Sequence, residues 1–176
     1  MRMRQDVLAR LEDRGRRYGA RLSRGRRVDG IAHRDGEALI FEVARKLDSP
    51  NTWRAHWAVE HKLTQWWERT FETALALRGA DPAYAKWLPT APRAKGVRRV
   101  SVVRVVTSRR QFIKDDDNLR FTTKPINDAL KRLGLIEDDR RELLEQPLPE
   151  QRVSPTGMAW TFVRIEPVPS QEAQLP

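Results

Sequence analysis

A tryptophan-rich helical pattern lies between two segments with the pattern of β-strands, and this order constrains the fold more than any other feature of the chain. From Trp53 to Leu77, apolar residues recur mostly at intervals of three and four, which is typical of a helix with one buried face. The strand patterns lie at 39–43 (LIFEV) and at 98–107 (RRVSVVRVVT). The chain therefore mixes helices and strands instead of forming an all-helical or all-β domain.

The second half of the chain repeats the same alternation on a smaller scale. Pro125 suits the first turn of a short helix, and Gly134 is a common terminator of such a helix. We expect one helical turn within 140–146 and a last strand at 158–165. The order predicts an α/β or α+β fold, a small single domain with a mixed sheet packed by helices. Its boundaries are a basic N-terminal arm at 1–36, the domain at 37–168 and a flexible tail at 169–176.

Charge and cysteine content narrow the function. Lys plus Arg number 34 and Asp plus Glu number 24, so the formal net charge is +10. Such a balance favours a polyanionic partner, nucleic acid before others. The chain has no cysteine, which excludes disulfides and thiolate zinc sites and suits a reducing cytoplasmic setting. No apolar run is long enough to span a membrane, and we expect no membrane partner and no small-molecule cofactor.

The basic arm holds much of the excess charge. Residues 1–30 contain ten arginines and four acids, with Val7, Leu8 and Leu11 as a weak helical stripe. Such a segment is partly helical at best. Two interpretations stay open: an arm that contacts DNA, and a solvated tail without a role.

The most informative stretch for chemistry is 114–118 (KDDDN). If it is extended, Asp115 and Asp117 point to one face and Asp116 to the other, because side chains alternate along a strand. Two carboxylates on one face suit a hard divalent cation such as Mg²⁺. Asn118 can orient a carboxylate or a turn through its amide. The alternative is a solvated acidic turn after a strand.

Further acids follow a short distance downstream. The helix after Pro125 is too short to carry the chain far, so the turn at Gly134 can return Asp138 and Asp139 toward the first acidic stretch. A third carboxylate would complete a metal site, and Lys124 could reach a scissile phosphate. Phosphodiester hydrolysis uses these parts, since a metal activates water and a lysine neutralises developing negative charge.

The three blocks D-x-D-N, K-P-x-x-D-A-L and G-x-x-x-D-D together resemble the RusA family of Holliday junction resolvases, common in phages and prophages. The clear match covers 114–139, and a weaker one covers 49–51 and the tryptophan-rich helix. The matching residues are Asp115, Asp117, Asn118, Lys124, Pro125, Asp128, Ala129, Leu130, Gly134, Asp138 and Asp139.

The resemblance implies a small homodimeric α/β endonuclease that uses Mg²⁺ or Mn²⁺ and nicks four-way DNA junctions symmetrically. By it, Asp115, Asp117 and Asp139 are the metal-binding acids and Lys124 is the catalytic lysine. Asp138 is the alternative to Asp139 as a metal ligand.

Candidate DNA contacts lie around these acids and at the turn before the long helix. Arginines beside an acidic site suit phosphate binding, and a tryptophan at a turn can stack on an unpaired base. Helical spacing favours core packing for Trp66 and Trp67 instead. The candidates are Asn51, Trp53, Arg54, Arg109, Arg110 and Asn118.

Three other functions are compatible with parts of the pattern. A basic protein that binds DNA junctions without cutting them has the same charge. A different nuclease could use Glu60 and Lys62, an E-x-K pair, with Asp48 as partner, although a match of this length arises often by chance. Charge alone also allows a structural RNA-binding protein.

Overall fold

The structure is a computed structural model that describes residues 29–52 and 57–169, and its framework is one six-stranded mixed sheet. The strand order is β1-β2-β6-β3-β4, and β5 also pairs with β3. Neighbours are antiparallel except for β3 with β4 and β3 with β5, which are parallel. The strands are β1 Gly30–Asp35, β2 Ala38–Val43, β3 Arg98–Val106, β4 Leu144–Glu145, β5 Glu150–Val153 and β6 Trp160–Pro167.

Helices of two kinds connect the strands. The α-helices are α1 Trp57–Ala76, α2 Asp116–Phe121 and α3 Lys124–Arg132. Short 3-10 helices lie at Pro50–Thr52, Pro82–Trp87 and Arg109–Gln111. The predicted α+β fold with helices packed on a mixed sheet is confirmed, as are the long helix, the valine-rich strand and the short helix that begins near Pro125.

The core lies between the sheet and the pair formed by α1 and α3. Phe41 of β2 packs on Phe71 of α1 with ring centroids 4.3 Å apart, and Trp67 contacts Phe71 at 5.4 Å. Trp67 is buried, and Trp66 packs against the core with the Arg45 guanidinium 4.6 Å from its ring centroid. Core packing of these two tryptophans is therefore confirmed. Because α3 packs on α1, the N-terminus of α3 is held near the first turns of α1.

The sheet begins earlier than predicted. Residues 30–35, which we assigned to the arm, form β1 and pair along their whole length with β2. Gly36 permits the tight turn between them, because its φ of 59° is one that side chains disfavour. The start of the domain at 37 is thus corrected to 30. The rest of the predicted arm, 1–28, and the tail at 170–176 lie outside the described residues.

The predicted single helical turn within 140–146 is confirmed at 140–144 and does not continue beyond it. The N–H groups of Leu143 and Leu144 donate to the Arg140 carbonyl, and the chain then enters β4. Glu145 of β4 accepts from Arg99 of β3 at 2.6 Å, so a neighbouring strand outcompetes the local helical tendency. Neither β4 nor β5 was predicted, because each is short and is defined by its pairing with β3.

No helix in the described part of the chain has the length and apolar character needed to cross a membrane.

Candidate functional site

The acidic stretch at 115–117 is a helix start and not an extended segment. Asp115 has an extended backbone and caps α2, with its Oδ1 accepting from the backbone N–H of Asn118 at 2.7 Å. Asp116 and Asp117 occupy the first turn, where negative charge is favoured by the exposed N–H groups of a helix. The expected strand-like alternation of Asp115 and Asp117 is therefore wrong, since a cap and a buried Leu119 favour a helix here.

A buried polar network holds the chain just before this helix. The Arg104 side chain, 3% exposed, donates to the backbone carbonyls of Leu47 and Gln111 at 2.7 and 2.8 Å. It also donates to Gln151 Oε1 of β5 at 3.1 Å. Gln151 in turn bonds both the N–H and the carbonyl of Ile113, at 2.9 and 2.8 Å. The approach to Asp115 is thus fixed to the sheet and to the loop after β2.

Two buried threonines join α2 to α3 and set the position of Lys124. The hydroxyls of Thr122 and Thr123 donate to the carbonyls of Leu119 and Arg120 at 2.6 and 2.7 Å. Thr123 also accepts from Gln146 at 2.8 Å. Lys124 then begins α3, with Pro125 in the first turn. The interval between Asn118 and Lys124 forms the rest of α2 and this link.

Lys124 is bonded to one carboxylate and is under the charge of two others. Its ammonium donates to Glu60 of α1, and the negative charges of Asp128 and Asp139 also act on it. The hydrogen bond to Glu60 is the main reason that the pKa of Lys124 is raised above its usual value. We call Glu60, Lys124, Asp128 and Asp139 the Lys124 cluster. Lys124 therefore stays a cation at neutral pH and is partly exposed to a ligand.

Within the Lys124 cluster, the surroundings of Asp128 disfavour the charged form of its carboxyl group. Burial raises its pKa above the usual value, and the charges of Asp139 and Glu60 raise it further. Lys124 and Arg132 oppose this shift. Lys124 attracts the Asp128 carboxylate electrostatically, while the hydrogen bond of Lys124 goes to Glu60.

The turn after α3 brings Asp138 and Asp139 back to Lys131 of the same helix, and their predicted return toward Asp115 and Asp117 stays a prediction. Gly134 has a φ of 71°, and the N–H of Leu135 donates to the Leu130 carbonyl at 2.9 Å in a helix-ending motif. Lys131 then bonds Asp138 and Asp139 at 2.9 and 3.1 Å. The hydrogen bond from Lys131 holds the pKa of Asp138 well below its usual range.

The predicted metal ligands are not assembled around one point. Within 29–52 and 57–169, no group of three or more His, Asp or Glu side chains is arranged to hold a metal ion. Asp115 uses one carboxylate oxygen as a cap, and Asp139 is bonded to Lys131. The donor chemistry suits Mg²⁺ or Mn²⁺, but the arrangement does not fit one. The assignment of Asp115, Asp117 and Asp139, or of Asp138, as ligands stays a prediction.

The structure describes four of the six candidate DNA contacts. Arg109 and Arg110 are exposed on the 3-10 helix that leads toward Asp115. Asn51 is exposed on the 3-10 helix Pro50–Thr52, which packs beside α2. Asn118 contributes its backbone N–H to the Asp115 cap. Trp53 and Arg54 lie outside the described residues.

Glu60 belongs to the site although its E-x-K match is of a length that arises often by chance, and Asp128 joins it one helical turn after Lys124. Glu60 is 64 positions from its partner Lys124, and no local pattern indicates that contact. Its proposed alternative partner Asp48 instead bonds Arg45 at 3.0 Å. For Asp128 a signal existed, since it is one helical turn after Lys124. The Glu60–Lys62 nuclease interpretation gains no support from these contacts.

In comparisons with known proteins, the chain matches no family model and no curated protein.

Proposed function

We propose that this protein is a structure-specific endodeoxyribonuclease, similar to the RusA resolvases, that hydrolyses a phosphodiester in four-way junctions or other branched DNA. The observation that carries the proposal is the Lys124 cluster, an ammonium bonded to Glu60 and under the charge of Asp128 and Asp139, in a chain of net charge +10. A basic surface suits the DNA backbone, while acids are needed only where chemistry occurs. The motifs at 114–139 support the same assignment.

Lys124 is proposed to stabilise the negative charge that develops on the phosphate. An ammonium has three donors, so Lys124 can keep Glu60 and still donate to a phosphate oxygen. Glu60 acts as a positioning residue because it directs the ammonium and raises its pKa. Such a preorganised charge contributes more to the transition state than to ground-state binding.

Mg²⁺ or Mn²⁺ is proposed as the cofactor because the resemblance implies it and because carboxylate oxygens suit hard cations. The described side chains are not arranged to hold such an ion. Acids would have to move for it to bind, with Asp139 leaving Lys131. We assign no step to the metal.

DNA binding is proposed to use Asn51, Arg109 and Arg110, which are exposed around the start of α2. Asn118, Trp53 and Arg54 extend this proposal. The chain is proposed to act in the bacterial cytoplasm, in recombination, repair or phage DNA processing.

A homodimer is proposed because symmetric cutting of a four-way junction needs two sites related by a two-fold axis. We expect the purified chain of 20.5 kDa to sediment as a dimer at micromolar concentration. A monomer that still cuts both strands would contradict the symmetry argument.

A second candidate is a protein that binds branched DNA without cutting it. It is favoured by one observation, the lack of a carboxylate group arranged for a metal among the described residues. In that case the Lys124 cluster is an ion-pair network that joins α1 to α3.

One experiment separates the two candidates. A synthetic four-way junction, a flap and a linear duplex of equal length are incubated with the full chain, with and without Mg²⁺. Cleavage of the branched substrates only when Mg²⁺ is present supports the nuclease. Tight junction binding without cleavage under Mg²⁺ or Mn²⁺ supports the binding protein, and equal affinity for all three substrates without cleavage of any contradicts both.

A further inference from the structure

A basic cavity lies at the opposite end of α3 from Lys124. It has a volume of about 290 Å³ and is lined by Lys86, Trp87, Pro92, Arg93, Ala94, Lys95, Arg98, Gly134 and Leu135. At a rise of about 1.5 Å per residue, Lys124 and Gly134 are roughly 15 Å apart along the helix axis. We call it the Arg98 cavity. It is separate from the Lys124 cluster.

The walls of the Arg98 cavity are fixed by backbone contacts. The Ala94 N–H donates to the Gly134 carbonyl at 2.8 Å, and the Arg98 N–H donates to the Leu143 carbonyl at 3.0 Å. A Cβ on Gly134 would meet Arg93 Cγ at 2.9 Å, so glycine permits this close approach. The cavity is therefore a built feature of the fold and not a gap between loose loops.

Cations dominate the lining, and most of them lack an acidic partner. Lys86 bonds Glu37 at 2.5 Å. Arg93, Lys95 and Arg98 have no ion pair with any residue of the described ranges, whereas Arg99, next to Arg98, bonds Glu145. Three cations without an ion pair outnumber the nearby carboxylate of Glu137, which accepts from the Gly96 N–H at 2.9 Å, so they attract an anion, and a multiply charged anion most strongly.

Two shielded donors on the cavity lining also lack acceptors. Trp87 Nε1 and Arg98 Nε are inaccessible to solvent and have no hydrogen-bond partner within the described residues. Buried donors are nearly always satisfied, so these two donors leave unbalanced positive charge in the wall of the cavity, behind its solvent-accessible surface. The Arg98 guanidinium lies 5.8 Å from the Trp87 ring centroid, which places the two donors in one neighbourhood.

We propose that the Arg98 cavity is a phosphate-binding site, with Arg93, Lys95 and Arg98 as the charged ligands. Phosphate is favoured over a nucleobase, because the Trp87 side chain is 3% exposed and its ring is not available for stacking. The volume suits a phosphate with part of its attached group, being near the lower end, about 300 Å³, of small-molecule sites. The phosphate can belong to a nucleic-acid strand or be free. The proposal does not rest on nuclease activity.

The test follows phosphate binding by nuclear magnetic resonance on the full, ¹⁵N-labelled chain. Inorganic phosphate is titrated at constant ionic strength with chloride as the balancing ion, and the Trp87 indole signal is assigned with Trp87→Phe. We expect saturable shifts of that indole and of the amides of 93–98. Shifts that do not saturate, or that chloride reproduces, would overturn the proposal and leave an ordinary hydrated cavity.

A matched pair of variants tests the location. Lys95→Glu and Arg69→Glu both replace an exposed cation and change the net charge equally. Lys95→Glu should weaken phosphate binding about tenfold, because a like charge then faces the ligand, and Arg69→Glu should change it less than about twofold. Equal losses would overturn the assignment. If Lys95→Glu does not fold, Lys95→Gln takes its place with a smaller loss expected.

Competition identifies the source of the phosphate. If a short oligonucleotide displaces inorganic phosphate both with and without its 5′ phosphate, the site binds the internal phosphates of a strand. Displacement only by the 5′-phosphorylated form indicates a strand end, and displacement by neither indicates free phosphate. Each outcome keeps the phosphate site and leaves the cleavage proposal to its own assay.

Discussion

The carboxylates of 115–117 and those of the Lys124 cluster are set in different surroundings. Asp115, Asp116 and Asp117 are exposed at a helix start, and no described residue forms an ion pair with them. In the Lys124 cluster, Glu60 is bonded to Lys124 and Asp139 to Lys131. The first region therefore holds negative charge that only helix N–H groups offset, while the second holds charge already balanced by lysines.

This difference indicates which of the two acidic regions a divalent cation can reach more easily. A divalent ion can approach 115–117 without displacing a lysine, but it must compete with Lys131 for Asp139. Coulomb attraction at a solvent-exposed site is weak, so exposed acids alone hold such an ion loosely. The proposed catalysis needs both regions: the exposed carboxylates of 115–117 and the fixed ammonium of Lys124.

The largest expected effect is on the exposed acids. Asp117→Asn should abolish junction cleavage while junction affinity stays within a few-fold, because removal of a negative charge does not weaken phosphate binding. Gel assays of cleavage and binding on the same four-way junction measure both. Asp116→Asn is the matched control at the neighbouring exposed position, and we expect it to cut. Full cleavage by Asp117→Asn would assign the chemistry to the Lys124 cluster alone.

Removal of the ammonium should have the next largest effect. Lys124→Ala should lower the single-turnover cleavage rate by roughly a hundredfold, the scale of a lost electrostatic stabiliser, with little change in affinity. Lys62→Ala, on the same helix as Glu60, separates this assignment from the E-x-K alternative. A loss of turnover in Lys62→Ala with normal turnover in Lys124→Ala would reverse our conclusion.

Deletion of residues 1–28 tests whether either region depends on the basic arm. The deletion keeps β1, which begins at Gly30. If the arm contacts phosphates, affinity for junction and duplex should fall about tenfold at low salt, and log affinity should depend less steeply on log salt. Cleavage at saturating protein should persist, since both regions lie beyond the arm. An unchanged salt slope would identify the arm as a solvated tail.

The smallest expected effect concerns Glu60. Its hydrogen bond raises the pKa of Lys124, so the protonated, active form survives to higher pH than an isolated lysine would. Glu60→Gln should lower the pKa of Lys124. As the pH is raised, the variant should therefore lose cleavage at a lower pH than the unmodified protein does. At neutral pH the rate should fall only a few-fold, because the lysine is still charged. A pH–rate profile that matches the unmodified protein would make Glu60 structural only.

Local sequence patterns were sufficient to predict the elements that are stabilised by residues close in the chain. The apolar spacing of α1, the valines of β3, and Pro125 and Gly134 around α3 each act through neighbours within a turn or a strand. The same holds for the reversal of the chain at Gly134, since a short helix ended by glycine leaves the chain few directions. The extended form expected at 115–117 failed because a capping aspartate was overlooked.

Contacts between distant parts of the chain decided the rest. By itself the sequence determined the α+β class, the basic charge and the acidic motifs, because these follow from composition and short-range spacing. Only the tertiary structure placed Glu60 on Lys124, enclosed the cavity of Trp87 and Arg98, and added β1, β4 and β5 to the sheet. Each of those depends on pairing or packing across many residues, whose free energy is gained only once the whole sheet and its helices assemble.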